Sequence, residues 1–251
     1  MPTIQNRHRR LLTCLTVVLV VGAALTGCAR HRGELTLRSP ALSGAGLDIE
    51  NPYGSVTVHV DPNAKDIHVR SVRRWMKRGG HGGHSLEDVS INAETTQPVQ
   101  GRSITHINVD APMANDLVHV AMTVTTPRCD GVRVRSGGAI MLRGVGGAIQ
   151  AETAHGHIEL RTNDELGDPV ALVTQIGDVR LYLSPAATGD LQAEAPSGQV
   201  RIMSSSTPFL NVEASLNSYR GMINHGENKM MVRTEDGDIR VQIMKDPDAY
   251  R

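Results

Sequence analysis

Apolar residues fall on alternate positions through most of this chain, in short runs broken by glycine, a pattern that predicts many short β-strands. One phrase recurs at the breaks: glycine, any residue, a β-branched residue, any residue, and usually an apolar one. Copies begin at Gly138, Gly147, Gly156, Gly177, Gly198, Gly221 and Gly237, with an earlier one at Gly54. The residues seven and five positions before the glycine are often apolar, and a small or hydroxyl residue often stands three before it. Val170, Leu172 and Thr174 precede Gly177, and Met230, Val232 and Thr234 precede Gly237 in this way. Each unit therefore reads as a strand, a corner made by glycine, and a second strand. Glycine suits a corner because the backbone turns there with positive φ, or because stacked corners leave no room for a side chain.

The spacing of the units predicts how they stack. The inward residues Ile140, Ile149, Ile158, Val170, Val179, Leu191, Val200 and Val212 are separated by 9, 9, 12, 9, 12, 9 and 12 residues. One 9 and one 12 make a coil of 21 residues, a period kept from Gly156 through Gly177 to Gly198. Coils of this kind stack about 4.8 Å apart and align equivalent residues. Val179 is then expected over Val200, and Leu181 over Ile202. The predicted fold is an all-β solenoid, like a single-stranded β-helix, over residues 131–244. An antiparallel β-sandwich of short hairpins is the competing reading, although the Asn-Gly and Asp-Gly turns it favours are scarce.

Residues 34–130 alternate less regularly and include a loop rich in Arg, Gly and His over 73–88, where Ser85 is placed to cap a short helix. A solenoid must protect the unpaired strand at each end. The irregular N-terminal β region is expected to cap one end, and the charged tail 245–251 to blunt the other.

The N-terminal segment adds an address. Arg7, Arg9 and Arg10 precede a mostly apolar run from Leu11 to Leu25, which is shorter than the ~20 residues of a membrane-spanning helix. It ends in Leu25-Thr26-Gly27-Cys28, which resembles a bacterial lipobox. Residues 1–27 are accordingly expected to be a lipoprotein signal peptide, Cys28 to carry the lipid, and 28–33 to form a linker. Ala29 after the lipidated cysteine is compatible with export to the outer membrane if the organism is diderm. Removal of 1–27 leaves 23 Lys+Arg against 26 Asp+Glu, with no basic excess to suggest nucleic acid. Cys129 is then the one free thiol, insufficient for an intramolecular disulfide or a multi-cysteine metal site. Aromatic residues make up only 2% of the chain, so the core must come from aliphatic side chains and a lectin-like aromatic platform is disfavoured.

The lipobox, the stretch from Gly46 reading Gly-Leu-Asp-Ile-Glu-Asn-Pro-Tyr-Gly-Ser-Val-Thr-Val, the strand ending Met122-Thr-Val-Thr-Thr-Pro and the glycine repeats resemble bacterial putative-adhesin β-strand-repeat domains. The resemblance spans roughly residues 34–244. It implies an envelope-exposed β-solenoid of unknown function, and it brings no catalytic residues with it.

Candidate chemistry is sparse. Glu235-Asp236-Gly237-Asp238 and Asp164-Glu165 with Asp168 are acidic enough to consider calcium, but acids at solenoid corners commonly accept backbone N–H bonds instead. His81 and His84, followed by Glu87 and Asp88, have ligand-like spacing on a glycine-rich loop that would hold no metal rigidly. His155 and His157 flank Gly156. No nucleophile elbow, Walker loop or His-Glu-x-x-His motif occurs, so no catalytic residue, metal or cofactor is assigned. The arginines are more suggestive. Arg180 and Arg201 each follow an inward valine and should point outward one coil apart, with Arg240 at the matching place after Gly237. Such a stripe suits an acidic glycan or lipid headgroup, unless Asp178, Asp238 and Glu159 neutralise it. The expectation is a lipid-anchored, non-enzymatic envelope protein acting as a scaffold or adhesion-like surface. Its expected partners are an acidic envelope polysaccharide or another envelope protein. A glycan-binding or glycan-processing solenoid enzyme and a self-assembling filament subunit are the alternatives.

Overall fold

The computed structural model describes residues 30–37, 46–76, 85–96, 103–111, 118–204 and 208–248. Residues 1–27, expected to be a signal peptide, Cys28 and the histidines His81 and His84 lie outside them. The alternating pattern is realised directly, as side chains of successive residues point to opposite faces of a strand. The strands are β1 (Arg30–Leu37), β2 (Gly46–Asn51), β3 (Val56–Val60), β4 (Ile67–Trp75), β5 (Ser90–Thr96), β6 (Ile104–Asp110) and β7 (Val118–Thr126). The regular part continues with β8 (Asp130–Ser136), β9 (Ile140–Arg143), β10 (Gly146–His155), β11 (Ile158–Thr162), β12 (Val170–Ile176) and β13 (Val179–Leu183). It ends with β14 (Gly189–Glu194), β15 (Val200–Ser204), β16 (Phe209–Ala214), β17 (Ser218–Ile223), β18 (Lys229–Asp236) and β19 (Ile239–Ile243). Among the described residues a single 3-10 turn, Leu86–Asp88, is capped by Ser85, whose hydroxyl accepts from the Glu87 N–H at 3.1 Å while Asp88 accepts from the Ser85 N–H at 2.9 Å.

The strands form two sheets, which meet along the glycine corners. The first has the order β1-β4-β7-β3-β9-β11-β13-β19-β15, and the second β16-β17-β14-β18-β12-β10-β8-β2-β6-β5. Seven coils each contribute one strand to either sheet, and parallel pairing joins coil to coil. Ile49, Val58, Val134, Ile140, Leu160, Leu172, Leu181 and Val241 lie between the sheets and are completely buried. This is the all-β solenoid the repeats predict. Antiparallel strands β4, β1 and β5 build the irregular cap at its N-terminal end.

The coils do not stack in chain order. The last coil, β18–β19, is inserted between β12–β13 and β14–β15, so Val179 neighbours Ile239 and Ile239 neighbours Val200. The expected contacts of Val179 with Val200 and of Leu181 with Ile202 are therefore replaced by contacts through Ile239 and Val241. Burial supplies a reason. Met230, Val232, Ile239, Val241 and Ile243 offer a full apolar inner face and are at most 1% exposed. The coil β14–β15 buries Leu191 and the small Ala193 on β14, but on β15 it offers half-buried Val200 and Ile202, with exposed Ser204 closing the strand. The fuller coil gains most from having a neighbour on both sides, and the leaner one takes the end. The same exchange occurs at the other end, where β2–β3 lies between β6–β7 and β8–β9. The regular stack thus takes in residues well before position 131.

Six of the eight glycine copies occupy the corner from the second sheet to the first, forming a continuous column. A Cβ on Gly177 would strike the carbonyl oxygen of Gly156, one on Gly237 that of Gly177, and one on Gly198 that of Gly237. Gly177 also has φ +140°, a backbone conformation that L side chains rarely adopt. The residue three before each corner completes the contact. Thr153 donates its hydroxyl to the Gly138 carbonyl at 2.8 Å, Thr174 to Gly156 at 3.0 Å and Thr234 to Gly177 at 2.7 Å. Ser136, two before Gly138, donates to Gly54, and the Asn51 amide, three before Gly54, donates to the Val120 carbonyl at 2.8 Å. Ala195 stands at this position in the end coil β14–β15 and has no hydroxyl to give.

The other two copies depart from expectation. Gly221 lies inside β17, paired antiparallel with β14, and Gly147 lies where the β10 register shifts against β8. Val212, counted as inward by spacing, is 49% exposed on β16. The described part of the charged tail, up to Asp248, does not blunt the end of the stack. The Met244 N–H donates to the Leu183 carbonyl at 2.9 Å, and Asn163 donates to Asp248 at 2.8 Å, which holds the tail against the middle coils.

The column makes a direct prediction. Gly177→Ala should lower stability by about 2 kcal/mol or more, from strain at positive φ plus displacement of the Gly156 corner. Gly167→Ala, where nothing lies within 4 Å of a new Cβ, should leave the melting temperature essentially unchanged. Thermal unfolding of the two variants checks the contrast.

Candidate functional site

The three arginines singled out by alternation come together. Arg180 is the register partner of Arg240, and Arg240 is the register partner of Arg201. They form one row over β13, β19 and β15 on the outer face of the first sheet, all exposed, at the strand spacing of about 4.8 Å. Arg240, expected only at an equivalent place, is the middle member. Arg180 forms an ion pair with Asp178 at 3.0 Å. Arg201 donates to the Gln199 side chain at 2.8 Å, and the Arg240 guanidinium has the Met203 sulfur 4.0 Å away. Of the acids expected to neutralise the row, Asp178 alone does so.

Glu159 and Asp238 have other partners. Glu159 pairs with Arg161 at 2.6 Å, both buried, and the Arg161 guanidinium lies 4.8 Å from the centre of the Tyr182 ring. Asp238 accepts from the Gln199 N–H at 2.9 Å, and Asp178 accepts from the Asp238 N–H at 3.1 Å. The acids just after the corner glycines therefore act as caps for the next coil. That Asp238 N–H, and then Arg180, hold the Asp178 carboxyl below its ordinary value despite partial burial.

The row belongs to a larger asymmetry. Leaving β1 aside, the described outward positions of the first sheet include Arg70, Arg74, Arg143, Arg161, Arg180, Arg240 and Arg201, with Glu159 as the single carboxylate. That carboxylate is committed to Arg161, so the face is cationic. His119, the register partner of Arg74, adds little charge because burial and then Arg74 push its pKa down. The second sheet carries Asp48, Glu50, Glu94, Glu152, Asp190 and Glu194 outward, interleaved with Arg133, Arg135 and Arg233. Asp48 pairs with His106 at 3.1 Å, and Arg233 with Glu235 at 2.8 Å. A formally neutral chain is thus divided into a basic face and a mixed, more acidic one.

The remaining candidates are accounted for locally. Among the described residues, no three His, Cys, Asp or Glu side chains gather in a metal-holding arrangement. Glu87 and Asp88 belong to the capped turn, and the Gly156 corner separates His155 from His157. Cys129 is buried, and burial raises its thiol pKa to about 12, so it remains an unreactive thiol at neutral pH. Alternation made the outward arginines visible. The partners of Glu159 and Asp238 gave no sequence signal, because they depend on which coil lies next to which.

Residues 124–242 match the family model described as Toastrack DUF4097. No curated protein matches the chain. Among solved structures, a putative cell adhesion protein from Clostridium sporogenes aligns with TM-score 0.58 at 8% identity, over 86% of this chain and 100% of its own. A putative adhesin from Bacteroides fragilis aligns with TM-score 0.35 at 8% identity, over 85% of this chain and 97% of its own. Among the described residues, no helix is long and apolar enough to cross a membrane.

The Asp178 cap has a pH signature. Its carboxyl pKa is lowered in the fold, so its contribution is complete above the unfolded value of about 3.9 and is lost as pH falls through the folded value. The melting-temperature gap between the parent chain and Asp178→Asn should be open at pH 6 and close below about pH 4. A thermal-denaturation series over that range reads it, and a constant gap would contradict the assignment. Glycine corners and parallel ladders agree with the matched family model, so residues 124–242 resemble a Toastrack domain, a β-strand-repeat domain of unknown function.

Proposed function

We propose that this chain is a lipid-anchored protein of the bacterial cell envelope, a non-enzymatic scaffold whose basic face is an adhesion-like binding surface for acidic envelope polysaccharide. The row Arg180–Arg240–Arg201 carries this reading. Guanidinium groups on adjacent strands repel one another, and among the described residues a carboxylate relieves only one of the three. An anionic polymer lying along the stack would meet one guanidinium per strand and remove that repulsion. Arginine suits the task because its planar fork can hold a carboxylate or phosphate through two parallel hydrogen bonds. The carboxylates of the opposite sheet would repel the same polymer and so select the face that binds.

The anchor rests on the lipobox at Cys28, which precedes the start of β1 by two residues and so would tether the N-terminal end of the stack. Lipid attached there would hold the protein at the membrane without a spanning segment. The resemblance of the fold to structures named for adhesion supports a surface role in the envelope.

Two measurements test the reading. The full chain should bind a carboxylated bacterial polysaccharide but not its carboxyl-reduced form, with affinity falling as salt is raised. Arg180→Gln, Arg201→Gln and Arg240→Gln together should weaken binding by about tenfold or more, a loss of ~1.4 kcal/mol, without lowering the melting temperature. Unchanged affinity in the triple variant would remove the row from the mechanism. Independently, Cys28→Ser should move the protein from the membrane fraction to the soluble fraction of cells, and retention in membranes would refute the anchor.

A further inference from the structure

We infer that the C-terminal end of the stack is a self-complementary interface through which two copies of this chain form a closed dimer. The two sheets stop at different heights there. The first ends at β15, where the Leu216 carbonyl accepts from the Val200 N–H at 3.0 Å and leaves the rest of the edge strand open, whereas the second continues past β14 with the hairpin β17 and β16. One sheet is thus two strands short where the other is two strands long. A two-fold axis between the sheets, perpendicular to the stack, exchanges them and brings the short side of each copy opposite the long side of the other. β16 runs in the same sense as β14, toward the glycine corner, because both pair antiparallel with β17. β15 runs away from that corner, so β15 of one copy meets β16 of the other antiparallel. Two equivalent strand pairs form at once, and the assembly stops at two, as isologous contacts require.

The side chains fit this occupant. Val200 and Ile202 point between the sheets but are only half-buried, although equivalent residues in the inner coils are 0–1% exposed. Met203, Val212 and Leu216 are 37%, 49% and 71% exposed at the same end. The outward positions are complementary in charge. Among the described residues, Arg201 on β15 bonds only to Gln199, and Glu213 on β16, opposite Arg220 in register, forms no ion pair. Under the two-fold axis the Arg201 strand of one copy lies beside the Glu213 strand of the other. Exposed edge strands are normally blunted by charge or proline, and the charged tail that could have done so lies against the middle coils. A second copy blunts both edges.

The test requires neither a polysaccharide nor lipidation, so its outcome is independent of the proposed function. Sedimentation equilibrium of the full chain in mild detergent, corrected for bound detergent, should give twice the chain mass at about 50 µM. Met203→Lys combined with Val212→Lys places charge on both edges at positions already exposed, and should yield a monomer with an unchanged melting temperature. Met203→Cys combined with Val212→Cys should cross-link to a dimer under mild oxidation, because β15 and β16 of one copy belong to different sheets. A monomeric parent chain, a lysine variant that still dimerises, or a mass that grows without limit would each overturn the proposal. The last outcome would indicate open-ended stacking between opposite ends.

Discussion

The architecture depends on how closely one corner can approach the next. At Gly177, Gly237 and Gly198 a glycine backbone rests against the carbonyl of the glycine in the adjoining coil, and at Gly54 and Gly156 against the backbone of Val120 and Ala139, leaving no space for a Cβ. The strands can maintain parallel pairing on both sides of the bend only because the corners nest. The buried hydroxyls of Thr153, Thr174 and Thr234 then satisfy carbonyls that the bend removes from water. Steric permission and polar satisfaction thus come from two residues three positions apart, repeated in coil after coil. The corner acids extend the arrangement outward, as Asp178 and Asp238 each accept an N–H from the following coil.

This arrangement makes the faces of the stack independent of its interior. The inner residues decide which coils are neighbours, and the outer residues at the same register positions inherit that order. Arg240 lies between Arg180 and Arg201 because Ile239 buries well between Val179 and Val200. A charge pattern on the surface is therefore set by apolar packing beneath it. Alternation turns these charges outward, and the sheet that each strand joins decides whether they lie on the cationic or the mixed face.

Much of the local design was legible in the sequence. Alternation located the strands, the glycine phrase located the corners, and the outward direction of Arg180, Arg201 and Arg240 followed from their place after an inward residue. The order of the coils was not legible. Val179 and Val200 are separated by one repeat period, yet they are not neighbours, because the coil containing Ile239 has the fuller inner face and lies between them. Spacing along the chain records where a strand begins, whereas pairing is settled by comparison among coils that all fit the same ladder. Val212 and Gly221 fit the repeat by position and lie in the end hairpin, where the ladder changes to antiparallel. The role of Thr174 was likewise hidden: a hydroxyl three residues before a glycine is visible, but its acceptor is in another coil.

The exchanged coils also constrain how the molecule is made. A solenoid stacked in chain order can grow one coil at a time as the chain emerges, each new coil resting on a finished one. Here β13 lacks its second neighbour until residues 229–243 have arrived, and β15 has no parallel partner until then. The last strands made are the keystone of the C-terminal half, which closes in one late step and raises the sequence separation of its contacts. A chain that lost those residues to proteolysis would lose a coil from within the stack, exposing two faces rather than one.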